Sequence, residues 1–179
     1  MAFKTPHTRT LPTSTKRIKM RPAFGKAVSA LAAKDPNIVL ITGDVEQEMK
    51  HYRANWPDRF FNMGICEQSI VSCAAGMALA GMRPIVYSIT PFILERAFEQ
   101  IKIDVDYNKL PVILVCYDDY PTYGITHRPL DARAMVRLFR NVESYFPQNA
   151  MQAEKAIFDA YLLNGPAMVF LKRDSPTQI

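Results

Sequence analysis

Runs of consecutive apolar residues alternate along this chain with stretches in which apolar positions recur every three or four residues. The first periodic stretch, "RPAFGKAVSALAAKD", puts Phe24, Val28, Leu31 and Ala32 on one helical face and ends before "PNIVLITGD", a continuous apolar strand. The polar segment "VEQEMKHYRANWPD" reads as part helix and part loop. A short strand, "RFFNMG", then leads into a helix from about Cys66 to Ala80, closed by Gly81 as its C-cap. "RPIVYSI" is a strand and "PFILERAFEQIKIDVDYN" a helix, with Pro91 suited to its first turn. After the strand "LPVILVCY" and the loop "DDYPTYGITHRP", a helix over "LDARAMVRLF", a strand over "NVESYFP", a helix over "NAMQAEKAIFDAYLLN" and a final strand over "GPAMVFLKR" complete the pattern.

Strands that are apolar on both faces and separated by helices imply an α/β fold: a single three-layer domain with a mostly parallel sheet flanked by helices. In such sheets chemistry gathers at the carboxyl ends of the strands. That rim would carry Gly43 and Asp44, Gly64 and Glu67, Ser88 to Phe92, and the segment from Asp118 to His127. The domain is expected over residues 23–174, with a basic arm over 1–22 and a short tail over 175–179.

Composition narrows the function classes. Of 179 residues, 49% are hydrophobic and 22% charged, an ordinary globular balance. The net charge of +5 resides in the first 22 residues, where Lys4, Arg9, Lys16, Arg17, Lys19 and Arg21 meet no acid. The body is therefore near neutral, and a tail that is solvated or contacts a partner is expected rather than a nucleic-acid-binding surface. No apolar run approaches the ~20 residues of a membrane span and no signal-peptide core is visible, so a cytoplasmic protein is expected. Cys66, Cys73 and Cys116 show no CxxC pairing and read as small core residues, with Cys66 also placed where a helix N-terminus can activate a thiol. GxGxxG, GxxxxGK[ST], HExxH and GxSxG are all absent.

Glu67 is the residue that stands out. It opens a helix amid apolar neighbours: Phe61, Met63, Ile65, Ile70 and Val71. Two readings follow from its position. In one it is a solvated first-turn glutamate, favoured by the helix dipole by about 0.3 to 2 kcal/mol. In the other it is buried; desolvation, worth up to ~3 to 5 pKa units, then outweighs the dipole and leaves an acid able to share a proton near neutral pH.

The run from Arg59 to Val115 resembles the pyrimidine-binding domain of thiamine-diphosphate enzymes of the group that includes transketolase, deoxyxylulose-phosphate synthase and the pyruvate dehydrogenase beta subunit. The matching features are the Gly-x-x-Glu-Gln turn (Gly64, Glu67, Gln68), the small-residue helix ending at Gly81, the strand reaching Tyr87 and Ser88, "RAFEQ" and "KLPVILV". "YGITHRPLD" is similar to that group's Asp-Gly-x-Thr-His loop. The resemblance implies thiamine diphosphate as cofactor, with Glu67 activating it by a hydrogen bond to N1′ of the aminopyrimidine. Gly64 and Ile65 would lie against the ring and Phe92 would form an aromatic wall, although Phe92 also reads as an ordinary core aromatic. His127 would serve the substrate's reacting carbons, or else be a loop residue facing solvent. Where transketolase has an acid four residues before this histidine, the chain has Tyr123, which puts a sugar-phosphate substrate in doubt; Asp118 and Asp119 lie earlier in the same loop.

The Gly-Asp-Gly and Asn ligands that hold Mg²⁺ in such enzymes have no counterpart in the sequence. The resemblance therefore implies a split transketolase-like transferase, acting on a ketose or 2-oxoacid, in which a separate subunit supplies the diphosphate and Mg²⁺ site. An α2β2 heterotetramer with a pyrimidine-domain dimer inside it would be its assembly. A split 2-oxoacid decarboxylase and a catalytically silent regulatory subunit are the alternatives.

Overall fold

The computed structural model describes residues 19–118 and 124–172. Among these, six strands form one wholly parallel sheet in the order β2-β1-β3-β4-β6-β5. The strands are β1 (Ile38–Thr42), β2 (Phe60–Asn62), β3 (Arg83–Ile89), β4 (Ile113–Asp118), β5 (Glu143–Tyr145) and β6 (Ala167–Lys172). The central four are buried along nearly all their length, which is why they read as unbroken apolar runs.

Alternation along each strand feeds two cores. Ile38, Leu40, Tyr87, Val115 and Val169 face a layer built from α1 (Met20–Ala32), α2 (Lys50–Asn55) and α6 (Ala150–Leu163). Ile41, Val86, Leu114, Met168 and Phe170 face α3 (Glu67–Leu79) and the helical segment after β3. Residues 20–22, read from sequence as the end of the basic arm, belong to α1, where Met20 is buried. Tyr52 and Arg59 tie α2 and its exit to this layer. The Tyr52 hydroxyl donates to the Ile38 carbonyl at 3.0 Å, and the Arg59 guanidinium donates to the carbonyls of Asp35 and Ala32 at 3.0 and 3.1 Å.

Gly81 ends α3 as expected. With φ at +88° it lets its own N–H reach the Ala78 carbonyl and the Met82 N–H reach that of Met77, at 3.0 Å each. The helix after β3 differs from a regular α-helix. Only α4 (Phe98–Gln100) has α geometry, flanked by wide turns at Pro91–Glu95 and Ile101–Tyr107. The Arg96 N–H reaches back five residues to the Pro91 carbonyl at 3.0 Å. The helix expected over "LDARAMVRLF" shortens to α5 (Ala132–Val136), capped by Asp131, whose carboxylate accepts from the Ala134 N–H at 3.0 Å. Beyond it, the buried Asp106 carboxylate accepts from the N–H groups of Arg140, Asn141 and Val142, and so turns the chain into β5. Cys116 is a core residue as expected, and burial pushes its thiol pKa well up. Cys73, by contrast, lies exposed on α3. Among the described residues no helix is long and apolar enough to cross a membrane.

Burial raises the Tyr52 pKa from 10.0 to about 12. The unfolded chain thus loses this proton first, and the stability that the neutral phenol contributes is whole below pH ~10 and declines as pH rises toward ~12. Thermal unfolding of Tyr52→Phe between pH 9.5 and 11.5 is expected to show a shallower loss of stability than wild type, by up to about 2 kcal/mol. Equal slopes would contradict this.

Candidate functional site

The carboxyl ends of β1, β2, β3 and β4 open on one rim, and the turns leaving them carry the residues singled out from sequence. After β1 the chain turns sharply at Gly43 and Asp44, the latter with φ at +61°. After β2 it turns at Gly64, φ +74°, and enters α3. Asn62 ties these two turns together: its side-chain oxygen accepts from the N–H groups of Asp44 and Gly64 at 3.2 and 3.0 Å, and its amide donates to Glu46 at 2.5 Å. Gly43 sits where a side chain would be crowded. A Cβ there would stand 3.2 Å from Glu67 Oε1 and 3.3 Å from both the Gly64 carbonyl oxygen and Ile70 Cδ1.

Glu67 is wholly buried at the first turn of α3, so the solvated first-turn reading does not hold. Its surroundings are not the purely apolar ones expected from its sequence neighbours, because Arg96 Nη1 donates to Oε2 at 2.6 Å. The guanidinium offsets the cost of burying the carboxylate. Glu67 Oε1 has no hydrogen-bond partner among the described residues. Sequence reasoning missed Arg96; nothing in local spacing links residues 29 apart, and only the adjacent charged pair Glu95 and Arg96 within the apolar stretch "PFILERAF" could have drawn attention to it.

The wide turn after Pro91 joins Arg96 to the remaining candidates. The Arg96 guanidinium lies over the Phe92 ring, 4.3 Å from its centroid, and the Phe92 ring meets His127 edge-on at 4.9 Å and 72°. Glu67, Arg96, Phe92 and His127 therefore form one continuous chain of contacts. His127 also lines a cleft of about 280 Å³ with Arg21, Asp44, Glu46, Gln47, Val45 and Ile89. Arg21 is set there by an ion pair with Glu48 at 3.4 Å and by the Tyr117 ring beneath it. Ile65, next to Gly64, is 72% exposed on the same rim. Cys66 is half-buried, with Sγ 3.0 Å from the Met63 carbonyl. Asp118 ends β4, whereas Asp119 and Tyr123 lie outside the described residues.

Breaking a wholly buried ion pair costs about 3 to 5 kcal/mol. With the Arg96 side chain 34% exposed, Arg96→Ala is expected to lose about 2 to 3 kcal/mol in urea unfolding. The same substitution on a Glu67→Gln background should cost much less. Additive losses would deny that the pair is coupled.

Comparison with known proteins agrees with this geometry. Residues 16–177 match the family described as the pyrimidine binding domain of transketolase. The chain is 32% identical over 163 residues to 1-deoxy-D-xylulose-5-phosphate synthase of Carboxydothermus hydrogenoformans, covering 87% of this chain and 25% of that protein. It is 36% identical over 122 residues to one subunit of the apulose-4-phosphate transketolase of Actinobacillus succinogenes, covering 66% and 39% respectively. Among solved structures, one described as a split gene transketolase, inactive beta4 tetramer, superposes with a TM-score of 0.80 at 30% identity, over 90% of this chain and 53% of that one. Transketolase from Leishmania mexicana shares the fold, with a TM-score of 0.78 at 20% identity. The chain thus spans a quarter to about two-fifths of these curated relatives and about half of the split-gene chain. The parallel sheet, the Gly64–Glu67 turn at its rim and the match over residues 16–177 together make this chain a member of the transketolase pyrimidine-binding domain family.

Proposed function

We propose that this chain is the pyrimidine-binding subunit of a split transketolase-like thiamine-diphosphate enzyme that makes or breaks a C–C bond next to a carbonyl. The observation that carries the reading is the buried Glu67 carboxylate, with one oxygen held by Arg96 and the other without a hydrogen-bond partner among the described residues. A buried acceptor of that kind is costly unless something bonds to it. A protonated ring nitrogen would fit: Oε1 would accept the N–H at N1′ of the aminopyrimidine and hold the proton shared there. The turn at Gly43 keeps backbone rather than side chain beside that oxygen. The residues therefore suit the cofactor, with Gly64, Ile65 and Phe92 as its other contacts. When bound, thiamine diphosphate supplies the nucleophilic carbon and the electron sink.

The cleft lined by His127 is the substrate side of the same site. Arg21 and His127 offer donors and Asp44 and Glu46 offer acceptors, a mixed lining that suits a hydroxylated, anionic substrate such as a phosphorylated ketose. Similarity to a protein named as part of an apulose-4-phosphate transketolase supports that class, despite Tyr123.

A separate subunit carries the diphosphate and Mg²⁺ and completes the site, in an α2β2 assembly. Exposed apolar side chains on loops of the rim support a partner there: Ile65 at 72%, Ile125 at 80% and Leu130 at 65% exposure. The similarity to one subunit of a transketolase and to a split-gene chain points the same way.

The test is reconstitution with a candidate diphosphate-binding subunit. Calorimetry should detect thiamine diphosphate with Mg²⁺ binding to the mixture and little or none to the chain alone. Glu67→Ala should assemble normally and lose turnover by at least ~100-fold, in line with removal of a positioned proton-transfer group. Undiminished turnover in Glu67→Ala would reject the role assigned to this carboxylate.

A further inference from the structure

Among its described residues, the loop that presents His127 is held within itself by short turns and by the Thr126 hydroxyl, which lies 3.1 Å from His127 Nδ1. The bonds there are internal turns, from the His127 N–H to the Gly124 carbonyl and from the Arg128 N–H to the Ile125 carbonyl, each at 3.2 Å. Its apolar side chains do not anchor it by burial, since Ile125 is 80% and Leu130 65% exposed. On its far side Asp131 caps α5, which orders the segment after the loop rather than the loop itself. Against this background the body of the domain reaches across to the loop backbone. The Glu95 carboxylate accepts from the Leu130 N–H at 2.7 Å, between residues 35 apart in sequence. A carboxylate bonding a backbone N–H is a charge-assisted contact, stronger than a neutral one.

Glu95 closes the wide turn that begins at Pro91, the turn that also carries Phe92 and immediately precedes Arg96. Within five residues, then, one helical turn touches both ends of the site. Arg96 holds the Glu67 carboxylate, Phe92 packs against the His127 ring, and Glu95 grips the backbone three residues beyond His127.

We propose that Glu95 is a positioning residue for His127: its carboxylate latches the 124–130 loop onto the 91–96 turn and so sets the imidazole at a defined distance from Glu67. Glu95 does not touch the reacting groups; it acts through the loop. The proposal rests on the reading of His127 as a substrate-side group, and two separate measurements keep the latch distinguishable from that reading.

The first measurement uses the full chain alone and compares wild type, Glu95→Gln and Glu95→Ala by NMR. Glu95→Ala is expected to speed hydrogen exchange at the Leu130 amide by about tenfold or more and to abolish the proton–proton contacts between the Phe92 and His127 rings, while the urea midpoint stays near wild type. Glu95→Gln keeps an acceptor oxygen and should retain both signatures. Unchanged Leu130 exchange and ring contacts in Glu95→Ala would overturn the latch. The second uses the enzyme reconstituted with its partner. Glu95→Ala should lower kcat to about the level of His127→Ala with KM little altered, Glu95→Gln should restore most of it, and the double variant should fall no further. A kcat unchanged in Glu95→Ala but lowered in His127→Ala would overturn the positioning role. A kcat unchanged in His127→Ala would reject the functional reading of the histidine and with it the positioning role, while the NMR result would still stand for or against the latch.

Discussion

A carboxylate taken wholly out of water must be neutralised, paired or bonded, and the rim of this domain is organised around how that requirement is met for Glu67. The helix start supplies its dipole, the Gly43 turn leaves room for one oxygen, and Arg96 brings a full positive charge to the other. The partial charge at a helix end is worth at most about 2 kcal/mol, well short of the several kcal/mol that burying an ion costs. The guanidinium makes up the difference. Because the Arg96 side chain is itself one-third exposed, it links the buried acid to the open rim, where its guanidinium also lies over the Phe92 ring.

The geometry follows from the helix after β3. Pro91 starts it, and the ensuing turn is wider than an α-turn, closing from Arg96 back to Pro91. Wide turns of this kind alter where successive side chains project, and they recur at functional sites. Here the consequence is that Phe92 and Arg96 are in contact, that Arg96 reaches Glu67 across to α3, and that Glu95 reaches the loop after β4. Two segments distant in sequence, the start of α3 and the loop after β4, are thus held by one short stretch packed on the sheet through Ile93 and Leu94.

What was legible in the sequence was whatever depends on local pattern. The central strands read clearly because helices cover both faces and leave them no polar positions. Gly81 read as a helix stop because a positive φ is needed there, and the candidate rim read correctly because parallel strands share a carboxyl end. The features that escaped are those settled by distant contacts. Apolar neighbours in sequence made the surroundings of Glu67 look wholly apolar, whereas the decisive neighbour comes from another helix. The wide turns carry no signature in an apolar period of three to four, and α5 is shorter than its pattern because Asp106, not helix propensity, dictates the path at 140–142. Cys73 looked like a core residue by composition, yet its face of α3 points outward.

The most direct test of this account is a crystal structure of the chain assembled with the proposed diphosphate-binding subunit and thiamine diphosphate. The account predicts the pyrimidine N1′ within hydrogen-bond distance of Glu67 Oε1, with Arg96 still bonded to Oε2. A cofactor ring seated elsewhere, or Arg96 displaced from Glu67 to admit it, would contradict the claim that this ion pair presents the other carboxylate oxygen to the cofactor.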